Sequence, residues 1–227
     1  MTVEDPSLTY PRATFTQPMP YGYIYLGMRI DPPRHSPFVR KSTRRHHVLQ
    51  ERKRLAHELD GLAEVVAATV YEAVVIPPVK GSPRFDGIAL IETTSPEAIP
   101  AVQATQAYQR LDPDFAMVAR NLRRIGDVDH PRTGTFLFNH FTAADPERAL
   151  RTWEDITGWF THQAGVADSA LLQPTGASPY VFVNHVRLPD GPIRFLLRFA
   201  KPSFRSFVAT RLRANQVGNA PVICKPV

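Results

Sequence analysis

The chain has 227 residues, 43% of them hydrophobic and 10% aromatic, and a formal net charge of +6. That is too apolar for a disordered chain and long enough for one large domain or two small ones. The lone Cys224 excludes an intrachain disulfide framework and every Cys-rich zinc motif. No run of ~18 apolar residues suggests a membrane span, and the opening stretch with Glu4 and Asp5 lacks a signal pattern. A cytoplasmic protein without a membrane partner is expected. The excess of positive charge lies almost entirely past Pro131. It could attract an anion, but no zinc-finger spacing or RNA-binding aromatic signature accompanies it, so no nucleic-acid partner is expected.

Twenty-two prolines punctuate the chain, as turns between short elements do. Residues 1–20 hold four of them without apolar periodicity and read as an extended arm. Tyr21–Ile30 reads as a strand, and Phe38–Ala68 as a long helical stretch with Val48, Leu55, Leu59 and Leu62 at helical spacing. Thr69–Ile76 and Phe85–Thr93 are strands. Ser95-Pro96-Glu97 looks like a helix start, with the helix running to about Leu111. A fourth strand covers 115–125. The order then repeats: strand Thr135–Thr142, a helix from Asp145 to about Ala164, strands Ser169–Pro174 and Tyr180–Leu188, a helical region Ile193–Ala214 broken near Pro202, and strand Ala220–Pro226. The expected fold class is α+β: tandem ferredoxin-like (β-α-β-β-α-β) units, 21–130 and 131–227, whose two antiparallel sheets pack as an α/β barrel within one chain. Sheet edges left exposed could pair two chains as a homodimer.

The most specific local feature is a repeated strand motif. Phe136-Leu137-Phe138-Asn139-His140-Phe141 recurs as Val181-Phe182-Val183-Asn184-His185-Val186. Polar residues inside an apolar strand are costly unless they find partners. Side chains alternate faces along a strand, so Asn139 and Asn184 should share one face, and His140 and His185 the other. One pair would face the barrel interior and the other the helices. A polar cluster in an apolar cavity is the usual form of a small-molecule site. The bland alternative is that these groups bond one another or the backbone and pin the strands. A metal site from His140 and His185 lacks further ligands on these strands. Arg44, Arg45, His46 and His47, with Arg52-Lys53-Arg54, read as a solvated basic helix face. Arg194, Arg198, Lys201 and Arg205 form a second basic stripe, which could grip a carboxylate or haem propionates. Trp153, Ile156, Trp159 and Phe160 make the core face of an amphipathic helix. No GxSxG, Walker or Rossmann fingerprint supports a hydrolase, NTPase or dinucleotide reading.

Phe136–Val227 resembles the antibiotic-biosynthesis-monooxygenase type of dimeric α/β barrel. The likeness rests on FLFNHF, on Glu147-x5-Trp153-Glu154, on Gly165-Val166, on YVFVNHV and on Lys201-Pro202-Ser203-Phe204-Arg205. Phe85–Ala98 (FDGIALIETTSPEA) resembles the ether-degradation-protein branch of the same superfamily. The resemblance implies several chemistries. Cofactor-free members oxidise phenolic substrates with dioxygen, the substrate anion supplying the electron, and an Asn on the first strand takes part; Asn139 stands at that place. Relatives degrade haem or cyclise polyketides. The chain departs from the pattern in having Leu188-Pro189 where the family often has Trp, in carrying Trp153 and Trp159 on the first helix of the unit rather than the second, and in having Leu26-Gly27 without an Asn–His pair in its first half. Any site therefore belongs mainly to the second unit.

The resulting expectation is an enzyme resembling cofactor-independent monooxygenases or cyclases. Its partner would be a small hydrophobic or aromatic molecule, entering between the two sheets. His140 or His185 would act as base, Asn139 and Asn184 would donate to the oxyanion, and Phe138, Trp153 and Arg198 would bind substrate. No cofactor is expected on this reading. A haem-binding protein and a non-catalytic carrier or structural barrel are the alternatives.

Overall fold

The computed structural model describes residues 10–34, 36–126 and 133–227. The first unit comprises β1 (Gly22–Met28), α1 (Thr43–Asp60), β2 (Val65–Val75), β3 (Gly87–Thr93), the short helices α2 (Ile99–Gln103) and α3 (Gln106–Gln109), and β4 (Phe115–Ile125). The second comprises β5 (Thr135–Thr142), α4 (Pro146–Ala164), β6 (Asp168–Pro174), β7 (Phe182–Leu188), α5 (Pro192–Arg198), a π-helical segment Phe204–Ala209, α6 (Thr210–Ala214) and β8 (Gly218–Pro226). The expected boundary near Pro131 lies outside the described residues.

The eight strands close into one antiparallel barrel in the order β1-β3-β2-β8-β5-β7-β6-β4, confirming the α+β class and the tandem ferredoxin-like arrangement. The units join through β2–β8 and β4–β6, and each junction carries a register shift, at Ala73/Val75 and at Asn121/Arg123. Bulges of this kind add the local twist that closure needs. Closure also removes the exposed sheet edges on which the homodimer expectation stood. β1 and β3 are buried along their whole length, because one face meets the barrel interior and the other meets helices; hence their nearly unbroken apolar sequences.

Several strand ends shift from the sequence reading, β2 starting at Val65 and β8 at Gly218, and the helices of the first unit differ more. α1 begins at Thr43, where Ser42 Oγ accepts from Arg45 N at 3.2 Å, rather than at Phe38, which instead bridges Val75. It ends at Asp60, since the β-branched run from Val65 belongs to β2. The helix expected after Ser95 is split, because Thr105 caps a new turn by accepting from Tyr108 N. α4 matches its predicted start and stop. Asp145 Oδ1 accepts from Arg148 N at 3.0 Å, and Gly165 terminates the helix at φ 65°, a left-handed conformation that favours glycine.

Residues 10–19 lie as a strap across α4 and β4. Arg12 pairs with Asp155 at 2.6 Å, Ala13 N donates to Thr157 Oγ1, and Thr16 bridges Arg124. Gly158 lets the strap sit flush on the helix: a Cβ there would lie 2.3 Å from Pro11 O and 2.4 Å from Tyr10 O. No helix among the described residues is long and apolar enough to cross a membrane.

Candidate functional site

β5 and β7 pair so that Asn139 stands directly opposite Asn184. The two asparagines point outward, toward α4 and the helices after β7, while His140 and His185 point into the barrel. The alternation read from the sequence thus holds, and it separates the two residue types.

The barrel interior is a filled core. Tyr25, Tyr71, Phe136, Phe138, Val183 and Val222 belong to one buried cluster there. Tyr71 meets Phe136 and Phe138 edge-on, with ring centroids 5.3 and 5.1 Å apart. Eight strands enclose a space just wide enough for side chains, and these aromatic residues occupy it. The histidines are part of this packing. Tyr25 Oη lies 2.7 Å from His140 Nε2, and His140 Nδ1 lies 2.9 Å from Ala220 O. The geometry sets the tautomer: Nδ1–H donates to the carbonyl and Nε2 accepts from the phenol. Burial pushes the His140 pKa down to about 4 and the Tyr25 pKa up, so both stay neutral at physiological pH. His185 stacks on Phe138, centroids 4.8 Å apart and 14° from parallel, with Tyr71 Oη 3.5 Å from its Nε2. The expected cavity between the sheets, shared by a histidine base and the asparagines, is therefore not what the chain builds. Phe138 also belongs to the barrel core rather than to a cavity wall.

Open space that reaches these motifs lies on the asparagine face, between sheet and helices of the second unit. An outer chamber of about 360 Å3 is bounded by β5 and β8, by Ile156 and Phe160 of α4, and by Leu196, Phe204 and Leu212 further along. The loop after β2 contributes Pro77 and Val79. An inner chamber of about 30 Å3 lies beneath α4 and reaches Trp153, Ser169 and Asn184. Both are lined by Leu137, Asn139, Phe141, Ile156 and Phe160.

The asparagines differ in their bonding. The Asn184 amide is satisfied with Oδ1 accepting from Trp153 Nε1 at 3.2 Å and Nδ2 donating to Ala170 O at 3.1 Å and Ser169 Oγ at 2.8 Å. Phe15 of the strap stacks on Trp153, centroids 5.8 Å apart, and so supports this network from outside. Asn139 is only 8% exposed, yet its Oδ1 has no hydrogen-bond partner among the described residues. Leaving a buried acceptor unmet costs ~1–3 kcal/mol. An amide kept in that state on the wall of a cavity is poised to bond something that enters.

The remaining candidates fall elsewhere. Trp153 lines the inner chamber. Arg198 turns to Asp190 and donates to Gln163 O at 2.7 Å, and lines neither chamber. Arg45, read as part of a solvated face, is 2% exposed and bonds Glu72 at 2.9 Å and Asp86 at 3.5 Å. Cys224 is buried in the barrel core. Among the described residues no group of three or more His, Cys, Asp or Glu is placed to hold a metal. Sequence reasoning missed Phe160, Ser169, Phe204 and Val208 as lining residues. The π-helical turn carrying Phe204 and Val208 marks the place, as such irregularities often do at sites, but its only sequence signal is the helix break at Pro202.

The haem alternative requires an axial ligand. The walls of both chambers hold no His, Cys, Tyr, Met or Lys among the described residues, and His140 and His185 lie on the far side of the sheet. The residues present do not fit a haem.

No family model and no curated protein matches this sequence. Solved structures do. An anthrone oxidase-like protein superposes with a TM-score of 0.60 at 13% identity, covering 90% of each chain. A monooxygenase candidate from Fusobacterium nucleatum superposes at 0.54 with 10% identity, covering 93% of this chain and 94% of the other. A chlorite dismutase from Candidatus Nitrospira defluvii, an R-to-K mutant, superposes at 0.50 with 11% identity, covering 93% of both. At these identities the likeness is one of fold.

Proposed function

With the dimeric α/β barrel fold as premise, we propose that the chain binds a small, uncharged, ring-containing molecule in the second unit's cavity and oxidises it with dioxygen without a cofactor. The observation that carries this reading is Asn139, a buried amide with an unmet oxygen on the wall common to both chambers. The outer chamber falls within the ~300–1,000 Å3 range of small-molecule sites and is walled mainly by apolar side chains, as such sites are.

The walls constrain the chemistry. No Asp, Glu, His, Lys or Tyr lines either chamber among the described residues, so the cavity supplies no base. The substrate must ionise by its own acidity, which suits a carbon acid or phenol whose anion is delocalised over rings. Asn139 offers Oδ1 to a substrate hydroxyl and, with the amide turned over, Nδ2–H to the developing oxyanion, an interaction of ~3 kcal/mol where such donors have been removed from other sites. For an anthrone-type ring methylene, dioxygen takes four electrons from the substrate. One oxygen atom ends in the new carbonyl and the other in water, which takes the two methylene hydrogens.

The test is oxygen uptake with anthrone, read beside binding followed through Trp153 fluorescence. Uptake that falls at least tenfold in Asn139→Ala, in a protein with unchanged far-UV signal, supports the reading. Equal uptake in the two proteins overturns it. The absence of ionisable groups from the walls also suits a carrier, and binding without oxygen uptake would favour that second reading.

A further inference from the structure

The inner chamber is too small for a ring and has no role in holding one. Its volume of about 30 Å3 exceeds the ~10–15 Å3 that a single water needs, giving room for a diatomic molecule. Apart from Asn139, its polar side chains are already engaged in hydrogen bonds. Thr157 Oγ1 donates to Glu154 O at 2.6 Å, Thr161 Oγ1 donates to Gly158 O at 3.0 Å, and Ser169, Asn184 and Trp153 satisfy one another. The rest of the wall is apolar, including Leu137, Phe141, Val166, Val186 and Phe195. A water placed there would meet Thr157 and Thr161 hydroxyls whose protons are already given to helix carbonyls. Small cavities walled mainly by apolar side chains can take up apolar gases.

We propose that the inner chamber is a gas site that holds dioxygen. It meets the outer chamber at Asn139, Ile156 and Phe160, so a ring whose oxygen bonds Asn139 would lie against the gas. The site itself stands on the chamber's size and its engaged polar groups; its use as a co-substrate pocket rests on the function proposed above. Dioxygen would be held by dispersion alone, with no ligating group, and would leave as readily as it enters.

Xenon tests this directly, because it fills small apolar cavities and cannot react. In the 227-residue chain, methyl resonances of Val166, Val186, Leu137 and Ile156 should shift saturably under xenon. Val166→Phe, which fills only the inner chamber, should abolish those shifts and raise the KM for dioxygen at least fivefold. Affinity for the ring compound should stay within twofold. Should Val166→Phe not fold, Val166→Leu should reduce the xenon affinity at least threefold. Leu212→Trp, which fills only the outer chamber, should do the reverse, removing ring binding and keeping the xenon shifts. Absence of xenon shifts in the wild-type protein, or shifts unchanged in both Val166 variants, overturns the gas site. Xenon shifts that respond to Val166 in a protein that consumes no oxygen uphold the gas site and overturn the oxidation reading.

Discussion

The two units share one topology and differ in what lies between sheet and helices. In the first, Ile24 of β1 stands opposite Ile91 of β3, both fully buried, and α1 seals them with Leu49, Leu55 and Leu59. In the second, an opposed pair on the helix-facing side of the sheet is Asn139 and Asn184, and the helices stand off far enough to leave a cavity. Each unit pairs one long continuous helix, α1 or α4, with a second helical region that is interrupted, and in the second unit that region carries the π-helical turn. Around Ile24 and Ile91 the first unit shows this interface packed with apolar side chains. The polar unit leaves a buried acceptor unmet, which costs stability and which the proposed function accounts for by a bound ring.

The sharpest test of that contrast is to impose the second unit's chemistry on the first. Ile24→Asn should cost about 3–4 kcal/mol in urea unfolding, since it removes a full core side chain and buries an amide with no cavity or partner. A loss under 1 kcal/mol would mean that the first unit is as adaptable as the second.

A pH titration separates the histidine face from the asparagine face. His140 stays neutral in the folded chain down to about pH 4, while in the unfolded chain it protonates near ~6.5. The unfolded state therefore binds the extra proton between these values. The stability held above pH 6.5 drains away as pH falls toward 4, by roughly 3 kcal/mol at most. His140→Gln should flatten this part of the profile, and an unchanged slope would remove His140 as its source.

Within the asparagine face the two residues should respond with opposite sign. Asn184→Leu strands Trp153 Nε1 and should destabilise the fold by about 2 kcal/mol. Asn139→Leu removes an unmet acceptor and should raise the melting midpoint, by about 1 kcal/mol in free-energy terms, while ring binding is lost. If Asn139→Leu destabilises as much as Asn184→Leu, both asparagines are structural and the contrast between the units loses its functional meaning.

Much of the scaffold was legible in the sequence. Period-two strands, proline punctuation and the Asp145-Pro146 start read through to the right order and topology because each is a local signal. The alternation of Asn139 and His140 was also legible. Which of them faces open space was not, because that depends on how eight strands close and on aromatic rings contributed by both units. Arg45 was misread for a similar reason: its partners Glu72 and Asp86 are 27 and 41 residues away in the chain. The freedom of Asn139 Oδ1 could not be foreseen at all, since an unmet acceptor is known only once every neighbour is placed.

The strap carries a consequence for the order of assembly. Arg12 meets Asp155 across 143 residues of chain, so the strap cannot dock until α4 has been synthesised and seated. Closing so long a loop is entropically slow, and residues 10–19 hold few buried groups of their own. They should be the last piece to dock and the first to peel away. The amide of Ala13, bonded to Thr157 Oγ1, should then exchange its hydrogen much faster than those of β5, reporting how often the roof over Trp153 lifts while the barrel beneath stays folded.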